Sequence, residues 1–377
     1  MPTKRRRIGV VLGGHLGDVI LYSAALSPLR SRFAEDEIIL IATPEALELF
    51  DLTQLVDRAV DAYALIFGPW FRFRIPGWKT LARWTQPIWS PTLRVDKLIF
   101  PYQFVSKLQA DLLKVIACHE VWGLTGGAYL GVNSTDWDPK MTRSYRLSGP
   151  RAIRGHVLEP LRSFLTWLGC SRDELKVPIR PADETDSVFT AGETHFKEQP
   201  FGIIFPGCHS DSHFNSWVDI KVWPIERYAE VIQRLDDQAP QNWMICGRHD
   251  EIESCQRVEQ TINRALPDVS TQVCCHLTIG QLIENVRRSQ FALGVDNGGM
   301  HLAIALDIPS VTIVHGAVGH YYFPWGDPKI HRAIFEPMDC WHCGFQCIHP
   351  RPLCIESILP ESVADLSRSV LAAAGVA

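Results

Sequence analysis

What this chain lacks narrows it first. No uncharged apolar run in its 377 residues reaches the roughly 18 that a membrane-spanning helix needs, so no spanning helix is predicted. It has no large excess of either charge: 37 Lys and Arg stand against 42 Asp and Glu, a formal net charge of −5. That balance excludes a general nucleic-acid binder, and no nucleic-acid partner is expected. There is no short-period repeat. With 46% hydrophobic and 21% charged residues, the chain also lacks the bias of a disordered or fibrous protein. Nor does it have the cysteine spacing of a small secreted scaffold, although it holds 11 cysteines. Most are scattered (Cys118, Cys170, Cys208, Cys246, Cys255, Cys274, Cys275), and a chain this long does not need stapling. Such usage fits a reducing compartment, so a cytoplasmic location is expected. At roughly 150 residues per domain, the length suggests about two domains.

The N-terminus imitates an export signal, with Lys4-Arg5-Arg6-Arg7 ahead of the apolar Ile8 to Leu12. Gly13, Gly14, His15 and Asp18 interrupt that stretch early. The better reading is a buried strand behind a solvated basic tail. A Gly-rich turn follows, then one helix over Val19 to Arg32. Glu37 to Ala42 reads as a second buried strand and Pro44 as the start of a helix. Alternation of this kind predicts an α/β fold with parallel sheets covered by helices. Residues 66–104 change character: they hold Trp70, Trp78, Trp84 and Trp89 with six Lys and Arg and one acid, Asp96. Aromatic and basic side chains together suit anionic lipid head groups, which makes this stretch a candidate for peripheral contact with an inner-membrane surface. The alternative is a core of aromatics with a solvated basic rim.

Polar, acid-rich residues from Pro181 to Pro200 mark a domain boundary. The expected division is an N-terminal domain over 1–185, a linker over 186–200, a C-terminal domain over 201–356, and a final helical segment, 357–377, free to pack back on the first domain. The second alternating run comprises strands at 201–205, 242–246, 291–295 and 310–314. Its helices fall at 224–235, 250–266, 277–289 and 300–306.

Three places carry chemistry. Asp296-Asn297-Gly298-Gly299-Met300-His301 lies where a strand runs into a helix. Free N–H groups at a helix start attract anions, and glycines let a phosphate approach. An ordinary capped turn explains the same residues locally. Phe205-Pro206-Gly207 is a second strand end, followed by Lys221-Val222-Trp223-Pro224, where a lysine ahead of a helix could reach a diphosphate. A solvated lysine is the bland reading. Leu16-Gly17-Asp18-Val19-Ile20 puts a carboxylate at a helix start, suited to a general base or simply to the helix dipole.

Taken together and in this order, Leu-Gly-Asp-Val-Ile, Pro-Gly with Lys-x-Trp-Pro-x-Glu-Arg-Tyr, and Val-Asp-x-Gly-x-x-His-Leu-Ala-x-Ala-Leu-x-x-Pro resemble glycosyltransferase family 9, the ADP-heptose:lipopolysaccharide heptosyltransferases and relatives. The resemblance runs over about residues 8 to 365. It implies a GT-B fold, two Rossmann-like domains facing across a cleft. It also implies inverting transfer from an ADP-sugar, heptose foremost, to a saccharide, lipid-linked or protein acceptor, with no cofactor required. By that resemblance Asp18 deprotonates the acceptor and Lys221 neutralises the departing diphosphate. Asp296, Asn297, Gly298, Gly299 and Met300 hold the donor, with Gly17, Pro206, Gly207 and His301 as pocket residues. Asp250 or Glu251 meets the adenosine. Two departures stand out: Asn297 replaces the family's usual Ser or Thr, and the loop over 208–220 is longer than expected. A catalytically inactive sugar-nucleotide-binding or scaffold protein and a GT-B epimerase are the competing readings. The epimerase would need a base and acid set that the sequence does not offer.

The remaining four cysteines crowd together as Cys340-x2-Cys343-x3-Cys347-x6-Cys354. Four thiols so close are candidates for a structural Zn or Fe site. Free thiols are the alternative. Similar cysteine clusters occur in part of the family.

Overall fold

The structure is a computed structural model. It describes residues 5–52, 54–67, 93–102, 107–125, 128–129, 132–133, 141–146, 155–171, 175–179, 196, 199–207, 220–235 and 240–376. The chain divides into two compact units, Met1–Arg180 and Pro181–Ala377. The division falls five residues before the boundary expected at 185.

In the first unit the described elements run β1 (Arg7–Val11), α1 (Leu16–Ser23), α2 (Leu26–Arg32), β2 (Glu37–Ala42), α3 (Pro44–Leu49), β3 (Arg58–Asp61), α4 (Ala62–Phe67) and β4 (Leu93–Phe100). They continue with α5 (Lys107–Val115), β5 (Ile116–Thr125), a short antiparallel pair β6 (Ala128–Tyr129) and β7 (Val132–Asn133), β8 (Arg143–Arg146) and α6 (Leu158–Trp167). The main sheet is parallel throughout, in the order β3-β2-β1-β4-β5-β8. Continuous apolar runs such as Ile8 to Val11 and Ile38 to Ala42 are what a strand covered on both faces requires.

The single helix expected over 19–32 is two. The first ends at Ser23 and the second starts at Leu26. Pro28 has no N–H to return to the Ala24 carbonyl, so a continuous helix would lose a bond and crowd its ring against that turn. The aromatic and basic stretch 66–104 lies largely outside the described residues, since 68–92 are not among them. Within the part that is described, Lys97 is no lipid-facing base. It is 8% exposed in β4, bonds Glu120 at 2.5 Å and lies 4.1 Å from the centroid of the Trp122 ring. Its ammonium holds the Glu120 carboxyl below the usual range.

The second unit runs β9 (Gly202–Phe205), α7 (Glu226–Leu235), β10 (Asn242–Cys246), α8 (Ile252–Ala265), β11 (Ser270–Cys274), α9 (Ile279–Arg288), β12 (Phe291–Val295), α10 (Gly298–Ala305), β13 (Ser310–Ile313), β14 (His331–Ile334), α11 (Leu353–Glu356) and α12 (Pro360–Ala374). Its parallel sheet has the order β11-β10-β9-β12-β13-β14. Counted from the unit's own first strand this is 3-2-1-4-5-6, the doubly wound dinucleotide-binding order. Every residue of β9, β12 and β13 is buried. Each Ile, Val, Leu or Phe sunk there contributes about 1.5–3 kcal/mol.

The helix expected at the end of the chain is α12. Val363, Ala364, Val370 and Leu371 are fully buried in the core shared by α7, β9, β12 and β13. The edge strands β11 and β14 were not anticipated. Their polar sequences, Ser-Thr-Gln-Val-Cys and His-Arg-Ala-Ile, hide the strand signal because an edge strand is half solvated.

Candidate functional site

In a doubly wound sheet the strand order reverses between strands 1 and 4, and ligands bind beyond the carboxyl ends of that pair. In the second unit the pair is β9 and β12, hydrogen-bonded with Gly294 opposite Phe205. Pro206 and Gly207 leave the first, Asp296 and Asn297 the second. The sheet therefore brings together two segments that the sequence separates by some ninety residues.

Asn297 is the clasp. Its β-region backbone makes it the N-cap of α10, and its Oδ1 accepts the Met300 N–H at 3.1 Å. Its Nδ2 donates to the carbonyls of Phe205, at 3.1 Å, and Gly207, at 2.7 Å. A serine or threonine could cap the helix but could not reach both carbonyls as a donor, so the departure from the family's usual residue has a local physical reason. The Met300 amide is engaged by this cap and its side chain is core, whereas Gly298 and Gly299 supply the other N–H groups of the first turn. Gly299 is forced: a Cβ there would stand 2.4 Å from the Phe205 ring.

Asp296 is 3% exposed and faces two basic groups. The Lys221 Nζ lies 3.9 Å from its Oδ2, and His315 Nε2 stands 3.2 Å from the same oxygen, close but off the line of a good hydrogen bond. Burial pushes the carboxyl up. Lys221, His315 and His301 outweigh it and hold Asp296 well below the usual carboxylate range, so it is ionised. His315 is also held below its usual value, by burial first and then by Lys221, against the pull of Asp296. Its Nδ1 accepts the Ala317 N–H at 3.2 Å, which assigns the proton to Nε2, facing the carboxylate. The neutral imidazole thus leaves one negative and one positive charge at the strand ends. His315 was not among the expected residues. The rule that singled out Asp296, the first residue beyond a buried strand, points equally to it.

His301 is 2% exposed, stacked on Phe323 at 4.2 Å, and its Nδ1 accepts the Trp325 Nε1–H at 3.0 Å. Glu251 and Asp250 separate. Glu251 Oε2 accepts the Arg248 N–H at 2.7 Å, and its carboxyl crowds Gly207 so closely that a Cβ there would meet it at 2.9 Å. Asp250 is exposed and pairs with Arg248. Of the two, Glu251 is the one beside the β9 loop. The rest of the Lys-x-Trp-Pro-x-Glu-Arg-Tyr motif is scaffold. Trp223 is fully buried and its Nε1 donates to the Ile358 carbonyl at 3.1 Å. Arg227 donates to the carbonyls of Glu356 and Ile358 at 2.6 and 2.7 Å. The long loop at 208–219 lies outside the described residues.

In the first unit, Gly17 and Asp18 open α1 after β1, the switch-point strand of that sheet. Asp18 is 7% exposed, and its Oδ2 accepts the His15 N–H at 3.1 Å. Gly14 has φ +114° and a Cβ there would press on Asp18, so the turn that aims this carboxylate needs glycine.

Cys340, Cys343, Cys347 and Cys354 line one small recess, with His349, Ile220 and Gly316. Burial pushes the Cys343 and Cys354 thiols up. Among the described residues, no group of three or more His, Cys, Asp or Glu side chains is arranged to hold a metal ion as placed.

The comparisons with known proteins now bear on this geometry. The model of glycosyltransferase family 9 (heptosyltransferase) matches residues 182–339. A family 9 glycosyltransferase from Veillonella parvula DSM 2008 superposes with a TM-score of 0.67 at 18% identity, covering 99% of both chains. The E. coli heptosyltransferase WaaC with ADP-2-deoxy-2-fluoro heptose gives 0.59 at 16% identity, covering 96% of this chain and 98% of that one. E. coli ADP-heptose lps heptosyltransferase II gives 0.63 at 14%, covering 97% and 98%. None of the curated proteins matches. Two Rossmann-like units, with such neighbours, define the GT-B fold. The family 9 model covers the stretch in which Lys221, Glu251 and Asp296 lie.

Proposed function

We propose that this chain transfers a sugar, a heptose foremost, from an ADP-sugar to a saccharide, lipid-linked or protein acceptor with inversion at the anomeric carbon. The observation that carries the reading is the cation of Lys221 held 3.9 Å from the ionised Asp296 at the start of α10, inside the span that matches the family. A nucleoside diphosphate leaves as a stable anion and needs positive charge and N–H donors more than it needs a proton. Lys221 supplies the charge, and the amides of Gly298 and Gly299 supply the donors. Glu251 meets the nucleoside beside Gly207. An attacking hydroxyl needs a base, and Asp18 takes that proton. The bond from the acceptor oxygen to the anomeric carbon forms as the bond to the diphosphate oxygen breaks. Asp296 adds negative charge near a carbon that becomes cationic on the way. No cofactor takes part in these steps.

The thiol recess belongs to the proposal as a structural centre. Four thiolates suit tetrahedral zinc or iron, and Cys340, Cys343, Cys347 and Cys354 would hold it, fixing the loop that carries them. A cytoplasmic location, at the periphery of the inner membrane, accords with a lipid-linked acceptor.

The test is a panel of nucleoside diphosphates and their sugars. ADP and ADP-sugars should raise the melting midpoint, since a ligand of the native state stabilises it by mass action. Asp18→Ala should keep that shift and lose transfer, and the product linkage should be opposite in configuration to the donor's. No shift with any ADP compound, or full turnover by Asp18→Ala, sinks the reading.

A further inference from the structure

The loop after β14 does more than gather cysteines. It docks on the residues that follow β13. The His342 N–H donates to the Gly316 carbonyl at 2.8 Å and the Gly344 N–H to the Ala317 carbonyl at 2.9 Å. In return the Gly316 N–H donates to Cys354 Sγ at 3.2 Å. These bonds clamp the cysteine loop onto the strand end that presents His315. The loop's own backbone is bent to match: Phe345 sits at φ +65°, a left-handed conformation that bulky side chains rarely adopt and that persists only where the surroundings impose it. The bend brings the Phe345 ring to 5.3 Å from the His315 ring and 5.7 Å from the Lys221 Nζ. One aromatic ring therefore faces both groups that flank Asp296.

A lysine needs such a fixture. Its flexible stem offers the ammonium several positions, and Asp296 at 3.9 Å and the Phe345 ring at 5.7 Å both bear on which one it takes. A ring within about 6 Å attracts the cation and excludes the water that would otherwise draw it outward.

We propose that Phe345 is a positioning residue for the transfer reaction: the cysteine loop carries its ring over Lys221 and holds the ammonium where the diphosphate arrives. This rests on the reading of Lys221 as the diphosphate's partner. Phe345 touches no reacting atom. Its effect on the diphosphate passes through Lys221.

The experiment compares Phe345→Leu and Phe345→Met, apolar but without a ring face, with Phe345→Tyr, which keeps one. Each is made in the full chain, with and without Lys221→Met, and checked for an unchanged circular dichroism spectrum. ADP affinity is read by calorimetry, and the reactivity of Lys221 by competitive acylation with peptide mapping. Phe345→Leu and Phe345→Met should weaken ADP about tenfold and raise Lys221 acylation several-fold, while Phe345→Tyr restores both. In the Lys221→Met background the Phe345 substitutions should change ADP affinity no further. Equal weakening in both backgrounds, or unchanged acylation, overturns the proposal. If Lys221→Met binds ADP as well as the wild type, the diphosphate reading falls, and the acylation rates alone then decide whether the ring fixes the lysine.

Discussion

Asn297 offers the sharpest test of how the site is built, because two accounts of it predict opposite rankings. As a helix cap alone, it needs only an acceptor for the Met300 N–H. As a clasp, it also needs its amide donor, which reaches the carbonyls of Phe205 and Gly207. Asn297→Ala removes all three bonds. The cap contributes about 1 kcal/mol, and each of the others about 1 kcal/mol net. The expected cost is about 3 kcal/mol, or about 6–12 °C for a unit of roughly 200 residues. Asn297→Ser keeps a cap and should lose about 2 kcal/mol. Asn297→Asp is the deciding variant. It keeps the cap and gains from the helix dipole. But it turns an oxygen toward two carbonyl oxygens, which lose their donor as well. It should be no more stable than Asn297→Ala. The assay is urea unfolding followed by tryptophan fluorescence, since Trp223 and Trp243 are fully buried in this unit. If Asn297→Asp lies within about 0.5 kcal/mol of the wild type, capping explains the residue and the clasp is refuted.

Other expectations follow from the same structure. Gly299→Ala should cost about 1–3 kcal/mol by overpacking against Phe205, and Phe205→Leu should recover part of that in the double variant; additive effects would contradict the contact. Arg227→Ala should cost about 1.5–3 kcal/mol and open 356–376 to limited proteolysis, and an unchanged digestion pattern would deny the anchor. Burial pushes His331 and His315 down, against their carboxylate partners, so both favour the neutral form in the folded chain. Their contribution is complete above about pH 6.5 and is lost as the pH falls below it. His331→Gln should make the fall in urea midpoint between about pH 7.5 and 5.5 shallower, and an identical slope would count against it.

Much of the second unit was legible in the sequence. Asn242 to Cys246 and Phe291 to Val295 are short apolar runs closed by turn residues, and both strands form with the bounds read from the sequence. The first unit was harder. Pro28 splits a helix whose apolar spacing alone looks continuous, and β5 carries His119 and Glu120 amid its apolar residues. In the site, Asp296 and Lys221 could be picked out because each borders a recognisable element. That they face each other depends on chain packing no local pattern encodes. Phe345 was invisible for a stronger reason. It lies in a loop with neither helical nor strand periodicity, and its significance comes wholly from what His342 and Gly344 bond to. Asp250 and Glu251 could not be told apart because they are adjacent, and only the turn at His249–Glu251 sets Glu251 against Gly207 and leaves Asp250 exposed.

The two hydrogen bonds that converge on the Ile358 carbonyl have a consequence for how the protein is made. The segment bearing Lys221 leaves the ribosome long before the residue that tethers it. Until 356–358 and the helix behind them emerge, Trp223 and Arg227 have no carbonyl to grip, and an indole meant for the interior stays wet. The segment bearing Lys221 is therefore among the last parts of the second unit to set during translation, and a nascent chain stalled short of that point leaves it untethered.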